Sequence, residues 1–251
     1  MSLALHEKPL ARSVLYQLLS TAFLYPGDGT LAGMRESAQR AMPLASKMGW
    51  GRVEGVLQRL EQQIQAIDEE QLLQDYLDVF GHTTSADCPP YEGEYGQAHI
   101  FQKSHMLADL QGFYKAFGVE ISATFKDRPD HLSVELEFMH LLALKEAYAL
   151  LHQHDADKVE VCQRAQGSFL ALHLAPWAIP FALTVAKKAG KRNVYYTWAH
   201  LLDLYLTAEF DEFQAPAATT MLPDSQAPEE DLACESEEQE TIAMQEGGGG
   251  L

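Results

Sequence analysis

Two stretches of the sequence place charged, aromatic and titratable side chains at short spacing. The first, residues 81–96, reads GHTTSADCPPYEGEYG. Pro89 and Pro90 stiffen it, Tyr91 and Tyr95 supply aromatic faces, and Glu92 and Glu94 supply negative charge. Rings beside carboxylates suit a guanidinium, which lies over the ring while its N–H groups bond the acid. The plainer reading is that the tyrosines anchor the loop, and at least one is expected to do so. The second stretch, residues 123–132, reads ATFKDRPDHL. Pro129 pushes Arg128 out of the α region. Asp130 can then cap the helix that follows. That role does not require His131. An Asp–His pair at a helix start also sets an anion beside a titratable donor, which suits a cationic or polar peptide.

Other chemistries are weaker. Glu137 and His140 form one Glu-x-x-His pair on a helix face, the unit of di-iron carboxylate bundles. No second copy occurs in the sequence, so a helical metalloenzyme built on Glu137 and His140 is the alternative reading. His152 and His154 lie near a helix end, where the dipole favours them. Cys88 is flanked by Asp87, Glu92 and Glu94. These raise a thiol's pKa, whereas a nucleophilic cysteine needs positive surroundings, so Cys88 reads as a packing residue. No GxSxG, HExxH, Walker A or GxGxxG pattern is present.

The elements that must position these residues carry a helical period. Leu10, Val14, Leu15, Leu18, Leu19, Ala22 and Phe23 form a stripe that Pro26-Gly27 ends. Val53, Val56, Leu57, Leu60, Ile64 and Ile67 form another. Asp68, with Gln71 three residues on, opens a helix through Phe80. A helix from about Ile100 ends at Gly118. Further helices are expected from about Asp130 to His152, from Val159 to about Leu174, and from Pro176 through Ala189. The last carries Tyr195, Trp198, Leu201, Leu202 and Tyr205, with Asn193 as its cap. Residues 119–125, VEISATF, read equally as a strand or a loop. The expectation is a single-domain all-α bundle of eight or nine helices spanning residues 1–214.

Residues 215–251 hold nine acidic residues and no Lys, Arg or aromatic residue. Such a segment reads as a disordered acidic tail. Over the whole chain 36 acidic residues face 18 Lys and Arg, a formal charge of -18. This disfavours nucleic acid and anionic lipid as partners and favours cationic ones. Three cysteines without paired spacing, no secretory leader and no uninterrupted apolar run of membrane length point to a cytoplasmic protein.

Four segments together resemble the TorD/DmsD family of maturation chaperones for molybdenum oxidoreductases, whose wider relatives include the NarJ chaperones. They are RSVLYQLLSTAFLYP, DYLDVFGHTTSADCPPYEGEYG, RPDHLSVELEFMHLLALKE and FLALHLAPWAIPFA. The last holds His173, Leu174, Trp177 and Phe181 in the family's spacing, with Trp177 expected in the core. The family's commoner motif is Glu-Pro-x-Asp-His. Here Pro129 directly precedes Asp130, and this shortened form, with Cys-Pro-Pro-Tyr-Glu at residues 88–92, looks more like that of chaperones serving dimethyl sulfide, ethylbenzene and selenate type enzymes. The resemblance implies an all-helical protein without catalytic turnover or a cofactor of its own. It implies binding of an apo catalytic subunit and its twin-arginine leader in the cytoplasm, until the molybdenum cofactor is inserted before export. A relative serving a non-exported nitrate-reductase-like subunit would bind the mature part instead. Carried onto this sequence, the peptide-site residues are Tyr91, Glu92, Pro129, Asp130 and His131.

Overall fold

The structure, a computed structural model, describes residues 4–82, 87–95, 100–121 and 127–217, with residues 100–102 and 215–217 described as backbone only. Helix α1 (Glu7–Ala22) buries Leu15, Leu18, Leu19 and Ala22 and stops before Pro26. Helix α2 (Thr30–Lys47) is one the periodicity did not reveal. Its buried stripe is Met34, Ala38, Ala41 and Ala45, mostly too small to stand out as apolar text, and it carries an internal Pro43. Helix α3 (Gly51–Ala66) turns Val53, Leu57, Leu60 and Ile64 inward. In α4 (Glu69–Phe80) the expected cap is present: Asp68 Oδ1 accepts the Gln71 N–H at 2.9 Å. The Gln71 side chain reaches forward to Asp75 instead of back to the cap.

Helix α5 (Ile100–Ala116) ends at Gly118, whose φ of +68° is the left-handed conformation that favours glycine. Helix α6 (Leu132–Leu151) begins two residues later than expected, with His131 as its cap. The segments α7 (Ala156–Phe169) and α8 (Ala175–Ala189) are joined by a π turn over Leu170–Leu174. The break expected before Pro176 is therefore absent: residues 156–189 form one continuous helix of 34 residues. A proline removes a hydrogen bond and crowds the preceding turn, and a widened π turn just before it relieves both. Helix α9 (Val194–Ala217) is capped as expected, Asn193 Oδ1 accepting the Tyr195 N–H at 2.8 Å. With α7 and α8 counted together, the described residues form eight continuous helices. They contain no strand; residues 119–121 are irregular. Residues 122–126 and the acidic segment from 218 onward lie outside the described residues.

Helix α1 packs chiefly on α6 and α2, α8 on α9, α2 on α3, and α6 on α7. The core between them is rich in rings. Phe23, Tyr76, Phe80, Phe181 and Tyr195 form one cluster, with Phe80 and Phe181 nearly parallel at 6.3 Å. Phe138 and Phe169 meet Tyr114 in a second. Helix 156–189 is long and apolar enough to cross a bilayer by composition. Its most apolar window is 56% buried within the fold, as a core helix is. A buried Arg12–Glu209 pair at 3.0 Å, joined by Tyr16, ties α1 to α9.

Candidate peptide-binding site

The two stretches singled out in the sequence meet at one seam. Tyr91 and His131 form an antiparallel bridge. The Glu92 N–H donates to Asp130 O at 3.0 Å and the Leu132 N–H to Pro90 O at 2.9 Å. Two prolines stiffen one side, and a helix start fixes the other. Pro129 holds the turn, and its carbonyl accepts the Tyr114 hydroxyl at 3.0 Å. All five expected site residues, Tyr91, Glu92, Pro129, Asp130 and His131, are therefore neighbours.

Their roles differ from the sequence expectation in one respect. Asp130 is not the helix cap. His131 is: its Nδ1 accepts the Ser133 N–H at 3.1 Å. Accepting there leaves the ring hydrogen on Nε2. Burial lowers the His131 pKa, which keeps the ring neutral despite Asp127 and Asp130 nearby. Asp130 is released for another task. Its carboxylate is fully buried and accepts Arg128 Nε at 2.9 Å and Arg128 Nη2 at 2.6 Å, a two-pronged pair. The Gly93 N–H also donates to it, at 3.0 Å. Arg128 lies over the Tyr91 ring, 4.5 Å from its centroid, and Nη1 donates to Glu94 at 2.6 Å. Lys103 donates to the same Glu94 oxygen at 2.8 Å. Tyr91 anchors its loop by donating its hydroxyl to Asp127 at 2.7 Å.

Beneath the seam sits a second group. His173, on the π turn, places Nδ1 3.1 Å from Glu92 and Nε2 3.1 Å from Asp109 of α5. Carboxylates only accept when ionised, so both ring nitrogens must carry hydrogen. Burial opposes that charge, but the hydrogen bonds and charges of Glu92 and Asp109 outweigh it and raise the His173 pKa. Deeper still, Glu135 is fully buried and accepts Trp177 Nε1 at 3.0 Å. Burial, reinforced by the charge of Glu92, pushes its carboxyl well above the usual range. Trp177 is in the core, as expected.

The remaining candidates take structural places. Glu137 accepts the Ser20 hydroxyl and His140 pairs with Ser13, so both face α1. Cys88 is buried, and burial raises its pKa. The His152 and Tyr148 rings meet at 4.1 Å, tilted by 42°. Arg128, Asp109 and Glu135 also belong to the site, beyond the five residues expected. Arg128 stood in view between Asp127 and Pro129, but nothing in one sequence pairs it with Tyr91.

Known proteins are similar to this chain. The family model described as nitrate reductase delta subunit matches residues 51–182, just over half of the chain. The perchlorate reductase assembly chaperone protein of Dechloromonas aromatica (strain RCB) is 31% identical over 218 residues, covering 82% of this chain and 91% of the relative. The selenate reductase assembly chaperone protein of Thauera selenatis is 34% identical over 117 residues, 46% of this chain and 58% of that one. The chaperone protein TorD of Vibrio cholerae serotype O1 (strain M66-2) is 25% identical over 112 residues, 45% of this chain and 49% of that one. The chain belongs to the TorD/NarJ family of molybdenum-oxidoreductase assembly chaperones.

Proposed function

We propose that this protein is a cytoplasmic chaperone for the apo catalytic subunit of a molybdenum oxidoreductase of the perchlorate or selenate reductase type. It holds the subunit, including its twin-arginine leader, until the cofactor is in place and export can follow. The observation that carries the reading is the seam itself. It gathers Tyr91, an aromatic face, and Asp130, a buried carboxylate, around one guanidinium, that of Arg128, with Glu94 and Asp127 as partly exposed acids at its rim. A leader with paired arginines is complementary to each of these. The chain's surplus of acidic residues steers such a cation toward it. Holding a client needs no bond chemistry, since binding the apo state alone slows its escape to export or aggregation.

The test is calorimetric titration of the full chain with the leader of a co-expressed molybdenum oxidoreductase. The same peptide with both arginines changed to Gln is the comparison. Loss of the arginines should weaken binding at least about tenfold, from two charge-assisted contacts, and added salt should weaken the native peptide. Equal affinity of the two peptides would remove the leader from the account.

A further inference from the structure

The recess that an arginine peptide would seek is already occupied. Arg128 stacks on Tyr91 at 4.5 Å, makes a two-pronged pair with buried Asp130, and donates to Glu94 at 2.6 Å. Those are the three contacts a foreign guanidinium would make. The seat is built for that group. Asp130 is fully buried and its remaining bond comes from the Gly93 N–H, which fixes the carboxylate toward the fork. A Cβ at position 93 would stand 3.0 Å from Asp130 Oδ2 and 3.1 Å from Arg128 Nη2, so glycine leaves room for the planar group. Arg128 itself is only partly covered, with 36% of its side chain exposed, while Asp130 beneath it has none. The side chain is thus a plug at the mouth. It springs from a non-helical turn before Pro129, next to exposed Asp127, not from a helix.

We propose that Arg128 is an internal stand-in for a client arginine: it fills a guanidinium seat formed by Tyr91, Asp130 and Glu94, and a leader arginine takes that seat as Arg128 swings out. The inference rests on the reading that a twin-arginine leader is bound. Exchange of one guanidinium for another keeps Asp130 paired throughout. A buried carboxylate left without its partner is strongly unfavourable, so the seat does not stand empty between clients. Lys103, which shares Glu94, cannot serve in its place, because an ammonium lacks the planar fork.

The experiment uses the full chain with Arg128→Ala, and Arg128→Lys should the alanine variant not fold. Thermal unfolding is followed with arginine amide or lysine amide at matched millimolar concentration and ionic strength. Arg128→Ala should melt below the unaltered protein. Arginine amide should recover a substantial part of that loss and lysine amide much less. The double variant Arg128→Ala/Asp130→Asn should not respond. Leader affinity should rise about tenfold in Arg128→Ala, the factor expected when an internal competitor contributing one strong pair is removed. Equal effects of the two amides would overturn the seat. Leader binding that is unchanged or weaker in Arg128→Ala would show that the leader docks elsewhere and would overturn the exchange, with the proposed function intact. Rescue by arginine amide together with no leader binding by any form would leave the seat standing and remove the leader from the function.

Discussion

His173 bonds a carboxylate through each ring nitrogen, and this makes a titration of the seam measurable. Its pKa is raised above the ordinary 6.5 because the contacts with Glu92 and Asp109 outweigh burial. A raised folded value means that the stability contributed is fully present below about 6.5 and is lost as pH rises through the folded value. Exchanging His173→Gln should therefore cost about 2 kcal/mol in acid, the value of charge-assisted bonds. The cost should shrink steadily toward alkaline pH. Urea unfolding of both proteins at several pH values reads it, and a cost that grows with pH would contradict the assignment of the charged ring. His131 runs the other way: burial lowers its pKa, and its cap on Ser133 requires an unprotonated Nδ1. The comparison must be made between variants, since the two residues give opposite slopes in the unaltered protein.

At the scale of elements, the seam is two short stretches joined by backbone bonds at Tyr91 and His131, and just beyond them Gly93 donates its N–H to the Asp130 carboxylate. A methyl group there would stand 2.8 Å from the Lys103 Cε atom and 3.0 Å from buried Asp130. Lys103 can move aside; Asp130 cannot without leaving Arg128. Gly93→Ala should lower stability by about 1–3 kcal/mol through overpacking and weaken leader binding in parallel. Denaturant unfolding and titration of the same sample check it; normal stability with normal binding would show that the loop gives way freely. Most elements were legible. The Asp68 cap, the Gly118 stop and the Asn193 cap all act through local bonds, and local bonds are written in adjacent residues. Helix α2 was not legible because its inward face is largely alanine. Pro176 suits a helix start by sequence alone, because a π turn depends on what His173 and Leu174 pack against, which a single sequence does not state. At the seam, residue types and spacing point to Tyr91, beside Glu92 and Glu94, as a face for a guanidinium and to Asp130 as an anion for a cationic or polar peptide. They did not show that Arg128 fills the role, since that pairing crosses 37 positions of chain.

For the whole molecule, the surplus of acidic groups and the ring-rich core act on different properties. The core sets whether the bundle stands; the charge sets what approaches it. Phe181 touches Phe23, Phe80 and Trp177 at the centre, so Phe181→Ala should cost about 3–5 kcal/mol of unfolding free energy. A loss below about 1 kcal/mol in urea unfolding would mean that the cluster is not packed as described.

The proposed chaperone role has one strict requirement: the protein grips its client only while the client is immature. Native mass spectrometry of the full chain mixed with the cognate catalytic subunit, prepared once without and once with its molybdenum cofactor, measures that directly. A stable complex with the cofactor-free subunit, and little or none with the loaded one, is the expected result. Equal binding to both forms, or to neither, would contradict it.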